Sequence, residues 1–391
     1  MKNSFIKLTL VILIAPVLFT VGCSAQTEEQ VLASLREMTK DGKLPPEATV
    51  AGLESRFANT KTGALAKLLR ARIKLENQDF AGAAAVLNSD VFKKRTKLAD
   101  HALWLRGKAL QGAGNHVEAL NVLSELLRDH PNSVRVRDAK LLWATSAIAA
   151  GRAVEVPPFL IEVSEKNDGD ALLLTAKAYE AQGSQDQALK YFRRTYFYAA
   201  GSTAAKEAET KLTTLAQPLT FQNGDEQLAR ADQLFRSRSY AEAANAYANL
   251  PDPARQGTDT QLKKLTAFAT TSGRMADAQN VFNSLPTSAR EREEAYRQLV
   301  LGYAKARMWP QARVTMDAMR AAFPSGALVP KTLIDAGLAA RDAKNRTDEG
   351  YFLNTAVAAY PNAIEVASAQ FEAAWFQHDG KNFALSSQMF I

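Results

Sequence analysis

The chain has one cysteine, Cys23, in 391 residues. A structural disulfide within it is therefore excluded. Four histidines, His101, His116, His130 and His378, are scattered without ligand spacing, and with a single cysteine they give no zinc or other metal pattern. Glycine-rich phosphate loops are also missing. Gly112-Ala113-Gly114 continues to Val117, and no Lys-Ser or Lys-Thr pair follows a glycine run. A nucleophile elbow is absent, and Asp and Glu are spread at helix-surface spacing, so no catalytic residue, metal or cofactor is assigned from the residues. Aromatics make up only 8% of the chain, too few for a β-sandwich or barrel, whose strands favour β-branched and aromatic runs.

What is present is alanine and helical periodicity. Nearly half of the residues are hydrophobic (47%), enough to bury a large core. The formal charge is +7, and removal of Lys2 and Lys7 with an acid-free leader would lower it to +5. That balance suits an anionic partner such as a cell-wall polymer or lipid surface, although dispersed charge also serves plain solubility. A nucleic acid would suit the same balance, but the export signal read below disfavours one.

The first residues read as an export signal. Lys2 and Lys7 precede an uncharged apolar run, Leu8 to Val21, broken by Pro16 and too short for a comfortable membrane span. It ends in Thr20-Val21-Gly22-Cys23, a loose form of the bacterial lipobox, which makes Cys23 the expected lipidated N-terminus; cleavage by the ordinary signal peptidase after Ala25 is the alternative. Ser24 in place of an acidic residue implies, by resemblance to enteric-type sorting, an outer-membrane anchor facing the periplasm. Several acyl chains on one cysteine suffice for stable anchoring.

Internal repetition predicts an all-α, tetratricopeptide-like helix-hairpin solenoid. Its clearest unit runs from Leu103 to Pro131, with Gly107, Leu110, Gly114, Ala119, Leu123 and Leu126 at the small, large, turn, small, large and large positions. Small residues let two helices cross closely, glycine relaxes the turn and proline ends the second helix. The spacing recurs at Ala176, Tyr179, Gly183, Ala188 and Phe192, and again at Ala231, Leu234, Ala243 and Tyr247. Taking the small residue of each second helix as a ruler, Ala83, Ala119, Val156 and Ala188 form one register, and Ala243, Ala278, Ala312 and Ala384 a second after a jump of 55. A degenerate pair between Leu141 and Val163 is interrupted by Pro157 and Pro158.

The expected organisation is a signal peptide at 1–22, a lipidated N-terminus and capping helix at 23–59, a first repeat segment at 60–200, a break with a surplus helix at 201–224, and a second repeat segment at 225–391. The last segment stops inside a second helix, with Met389, Phe390 and Ile391 as an apolar terminus, so a continuation of the chain is expected. Two clusters invite a functional reading. Tyr191, Arg193, Arg194, Tyr196 and Tyr198 could form a ligand surface that stacks sugar rings or grips an anionic peptide; alternatively Phe192 and Thr195 are core positions and the other rings pack on the surplus helix. The basic run Lys93, Lys94, Arg95 and Lys97 lies in an expected inter-repeat loop and reads as a solvated face.

The succession Asn167-Asp168-Gly169-Asp170-Ala171-Leu172-Leu173-Leu174, followed by Ala188-Leu189-x-Tyr191-Phe192-Arg193-Arg194-x-Tyr196, resembles the N-terminal superhelical region of soluble lytic murein transglycosylases. The closing Tyr360-Pro361-Asn362 and Ala373-Ala374-Trp375-Phe376 resemble the repeats that precede that family's lysozyme-like domain. The resemblance implies a periplasmic scaffold for peptidoglycan cleavage, with peptidoglycan or envelope proteins as partners, a membrane contact through the lipid and no cofactor. The family's catalytic Glu-Ser pair is matched only by Glu54-Ser55, at the wrong end of the chain, and no Gly-Leu-Met-Gln follows, so no catalytic residue is carried over. The competing expectation is a stand-alone tetratricopeptide lipoprotein that binds proteins in envelope assembly.

Overall fold

The computed structural model describes residues 27–250 and 257–390. The leader and Cys23 lie outside them. The described residues form 22 α-helices and two short 3-10 turns, with no strand among them. The chain divides between Leu142 and Trp143 into two compact units.

In the first unit, α1 (Glu28–Met38) and α2 (Glu47–Arg56) pack on α3 (Lys61–Glu76). Thr27 and Gln30 close a reciprocal capping box at the start of α1. Val31, Leu35 and Val50 are buried against Ala66 and Ile73 of α3, so this end of the stack has its own small core. The pairs α3 with α4 (Phe80–Leu87), and α6 (Ala99–Gly112) with α7 (His116–Asp129), follow, separated by the short α5 (Val91–Arg95). The basic run at 93–97 thus begins on a helix, not in a loop, because Val91 and Phe92 are buried and pin that turn to the core.

The boundary between units falls within α8 (Val136–Ala149). In the second unit come α9 (Val156–Glu165), α10 (Gly169–Ala181), α11 (Gln185–Tyr198) and α12 (Thr203–Thr214). Five further pairs follow: α13 (Gly224–Arg236) with α14 (Tyr240–Ala248), α15 (Thr258–Thr270) with α16 (Met275–Ser284), α17 (Arg292–Lys305) with α18 (Trp309–Ala322), α19 (Leu328–Asp342) with α20 (Arg346–Ala359), and α21 (Ile364–Asp379) with α22 (Phe383–Met389). Pro157 and Pro158 do not interrupt their pair. They occupy the first turn of α9, where the missing N–H would have no intrahelical partner.

The turn inside each pair sets the register. After α3, α6, α8, α10, α13, α17, α19 and α21 the chain passes through one left-handed residue, respectively Gln78, Gly114, Gly151, Gly183, Arg238, Arg307, Lys344 and Lys381. The next N–H then bonds back five residues, as Asn115 N–H does to the Leu110 carbonyl (2.8 Å) and Met308 N–H to that of Tyr303 (2.9 Å). Five residues beyond each left-handed position lies the buried residue that packs between the two helices: Ala83, Ala119, Val156, Ala188, Ala243, Ala312, Glu349 and Ser386. Ser386, not the exposed Ala384, therefore holds the last place in the ruler, and Glu349 stands where the other pairs have a small or aliphatic side chain. The α15–α16 turn also keeps the offset, from Gly273 to Ala278, but the chain is extended at Thr271 and the bond back over five residues is replaced by a shorter one from Thr271 N–H to the Phe268 carbonyl (3.0 Å).

Opposite the small residue of the second helix, the first helix also keeps its side chain small. A Cβ on Gly107 would lie 2.5 Å from Leu123 Cδ2, and one on Gly337 2.7 Å from Leu353 Cδ2. These contacts are close enough that no larger residue fits without repacking.

The surplus helix is present as α12, inside the second unit. Its buried Ala204, Ala208 and Leu212 join the core of Leu173, Ala176 and Phe192, while Lys177–Glu207 (2.6 Å) and Glu180–Lys211 (2.7 Å) bind it to α10. Next, α13 lies along α11 in the same direction. Glu226 meets Arg193, Arg230 meets the Tyr196 carbonyl, and Ser237 meets Gly201, each contact further along both helices.

Candidate functional site

The five residues singled out on α11 are brought onto one helix, and most of their polar capacity faces inward. Arg193 donates to both Glu226 carboxylate oxygens (2.9 and 2.6 Å) and to the carbonyls of Pro218 (3.2 Å) and Thr220 (2.6 Å), while stacking on Phe197 at 4.7 Å. One guanidinium thus fastens the 215–223 connection and the start of α13 to α11. Burial acts to raise the Glu226 carboxyl, but the Arg193 hydrogen bonds and the Gln222 N–H outweigh it and hold it below the ordinary carboxylate value. Arg194 donates to Asn167 Oδ1 (2.9 Å) and toward the Glu165 carbonyl (3.4 Å), closing the α9–α10 turn. Tyr196 is buried beneath Arg230, whose guanidinium carbon sits 3.9 Å from the ring centre. Tyr191 and Tyr198 are half-buried, and Tyr191 tilts against Tyr179 at 5.5 Å. Phe192 and Thr195 are core residues. Glu54, of the Glu-Ser pair, is spent on Lys67 (3.0 Å) and Arg70 (3.1 Å).

A groove in the first unit has the better geometry for a ligand. It encloses about 570 Å³ between the α4–α5 connection, α6 and the end of α7. Leu87, Phe92, Ala102 and Leu103 supply an apolar lining, Lys93 and His130 stand at it with Asp90, Glu125 and Asp129, and Arg106 reaches in from α6. Arg106 Nη2 donates to Glu118 (2.6 Å), but its Nε–H is buried without a hydrogen-bond partner among the described residues. A buried donor left unmade costs about 1–3 kcal/mol. In the sequence Lys93 reads as part of a solvated face and Arg106 draws no notice; the two meet at the groove because α5 packs beside α6. The Asp129 carboxyl is held below its ordinary value by its hydrogen bond to Arg128, with smaller contributions from Lys93 and His130, so the rim carries both signs of charge near neutrality.

Beside Arg106 on α6, Trp104 lies under the Arg135 guanidinium (4.3 Å) and stacks with His101 at 5.6 Å. Burial, assisted by Arg135, lowers the His101 imidazole below its usual value and favours the neutral ring. Among the described residues no group of three or more His, Cys, Asp or Glu side chains is placed to hold a metal ion.

Comparison with known proteins supports the helical-repeat reading. A tetratricopeptide repeat family model matches residues 101–133 and 170–196. The first stretch covers all but the start of the α6–α7 pair and the second most of α10–α11. Among solved structures, the chain is similar to one in the APC/C hetero-tetramer Cut9-Hcn1 (15% identity, 88% of this chain and 71% of that one, TM-score 0.27). It is also similar to the TPR domain of P58(IPK) (15% identity, 90% and 99%, TM-score 0.23) and to a chain of Naa15/Naa10 bound to HypK-THB (12% identity, 93% and 67%, TM-score 0.21). No curated protein matches the sequence. The paired helices of the described residues and the repeat match make the chain a helical scaffold of tetratricopeptide type.

Proposed function

We propose that the chain is an exported protein-binding scaffold, tethered through a lipid on Cys23, whose first unit takes a peptide segment of an envelope protein in the α4–α7 groove. The observation that carries this reading is the groove itself: apolar lining and rim charges of both signs together suit an amphipathic peptide segment. A photoactivatable residue at Lys93 is expected to give a discrete protein adduct in the exporting cell, and the same residue at Val117, exposed on α7, none. Equal adducts from both positions, or none from Lys93, would refute the groove assignment. Export and anchoring are tested separately: palmitate labelling should vanish in Cys23→Ala.

A second reading, the superhelical region of a peptidoglycan lytic transglycosylase, is favoured by the resemblance over Asn167–Tyr196. On that reading peptidoglycan is the partner and the chemistry belongs to a lysozyme-like domain. The purified chain should then bind sacculi without releasing anhydro-muropeptides; failure to bind them counts against it.

A further inference from the structure

The left-handed turn positions of the later pairs carry a pattern that packing does not require. From α13 onward they are Arg238, Gly273, Arg307, Lys344 and Lys381. Glycine is the least strained choice at such a backbone angle, and a long cation there gains nothing locally. All four cations are exposed, and none forms an ion pair or hydrogen bond through its side chain with another described residue.

These turns lie along one edge of the second unit. Lys305, in the last turn of α17, donates to the Thr270 carbonyl at the end of α15 (2.9 Å), and Arg346, at the start of α20, reaches the Phe376 carbonyl near the end of α21 (3.1 Å). Ends of like helices are therefore neighbours, and packed helices stand about 8–10 Å apart. The opposite turns, 285–291, 323–327 and 360–363, hold only Arg290 and Glu291 as charged residues, and those two pair with each other (3.1 Å). Within these three described turns no cation is left unpaired.

Aromatic residues accompany the four cations. Trp309, half-buried, and Phe383, 58% exposed, each begin the second helix two residues beyond a cation. Cations on long stems beside Trp and Phe form the combination that sits at a membrane–water interface, the ring at headgroup level and the charge against anionic lipid. We infer that this edge of the second unit, through Arg238, Arg307, Lys344 and Lys381, binds the surface of a bilayer containing anionic lipid.

The backbone at these four positions allows a test that does not endanger the fold. Asn tolerates the left-handed region better than Arg or Lys, so Arg238→Asn/Arg307→Asn/Lys344→Asn/Lys381→Asn should melt no lower than the parent. Full-length parent and variant are compared for partition onto phosphatidylcholine vesicles with and without 30 mol% phosphatidylglycerol, at low and at physiological salt. The leader and any lipid are common to both proteins and to both vesicle types, so the informative quantity is the preference for anionic vesicles. The parent is expected to prefer them at least tenfold at low salt, and the variant to lose most of that preference at an unchanged melting temperature. Equal preference in parent and variant overturns the inference, as does no preference in the parent. Tight binding of soluble polyphosphate through the same four cations, without vesicle binding, also overturns it and marks a polyanion site instead. The Lys93 adduct reports the groove independently, so failure here leaves that reading standing.

Discussion

Replacing Arg193 by methionine keeps most of the aliphatic stem over Phe197 and removes the guanidinium that joins three segments. The loss has two parts. Two carbonyls, those of Pro218 and Thr220, give up a charged donor, and the Glu226 carboxylate is left with the Gln222 backbone N–H at 2.7 Å. The side chains of the pair are only 14% and 11% exposed, so water cannot readily replace the guanidinium. Breaking such a pair costs about 3–5 kcal/mol, and because some solvent and one N–H remain we expect a value near ~3 kcal/mol. Adding Glu226→Gln removes the stranded charge. The double variant should fall only ~1–1.5 kcal/mol below wild type, a coupling of about 2 kcal/mol. Urea unfolding followed by limited proteolysis of the 215–223 connection measures both quantities. The pH dependence gives an independent check. In the wild type the Glu226 carboxyl lies below its ordinary value, so its stabilisation is present above that value and is lost as the pH falls through the depressed one. In Arg193→Met burial acts almost unopposed and the sign reverses, so the gap between the two proteins should narrow in acid. Equal urea midpoints, a gap that is constant between pH 3 and 7, or no rescue by Glu226→Gln would each show that Arg193 is not the clasp described.

Glu349 is buried where the other pairs carry Ala, Ser or Val, and burial, only partly offset by Arg346 (3.1 Å), holds its carboxyl above the ordinary value. Glu349→Gln should therefore raise stability by about 1 kcal/mol at pH 7 in urea titrations, with the gain disappearing as the pH drops below the ordinary carboxylate value, where both states of the parent are protonated. At the turns, Arg307→Gly and Lys344→Gly should each be neutral to stabilising by up to ~1 kcal/mol, whereas Gly114→Ala, whose Cβ would meet open space, should cost about 1–2 kcal/mol through backbone conformation alone. Calorimetric melting distinguishes these signs. Gly107→Val drives a branched side chain into Leu123 and should cost at least ~2 kcal/mol, lowering the urea midpoint more than Gly114→Ala does.

The helix pairs were legible wherever their small and turn residues are written in standard types, as from Leu103 to Pro131. They were harder to read where the turn is made by backbone bonds that any residue can be forced to accept. Arg238, Arg307, Lys344 and Lys381 look like surface cations in the sequence, and only the invariant offset of five to Ala243, Ala312, Glu349 and Ser386 exposes them as turn markers. The shift from Ala384 to Ser386 has the same origin: without that marker, the nearest alanine is the natural choice. Pro157 and Pro158 look like breakers in the sequence, yet the first turn of a helix tolerates what its interior does not, and the location of that turn depends on Gly151. For α11 the residue types drew notice, but the meaning of Arg193 lay 33 positions away in Glu226, a separation no local pattern spans. In the first unit, likewise, nothing near Arg106 announces that its Nε–H is left over.

The parallel course of α11 and α13 has a consequence for the whole later part of the second unit. A hairpin array alternates up and down strokes, and one unpaired helix shifts that alternation by a single step. Because α12 is such a helix, the leading helix of every pair after it travels in the sense that the trailing helix of α10–α11 travels before it. The margin holding the Gly183 bend before the insertion is therefore opposite the one holding Arg238 and its successors after it. A single twelve-residue helix thus works as a polarity inverter. Deleting it together with the connection to α13 would force every subsequent pair either to turn end over end or to lose its contact with α11.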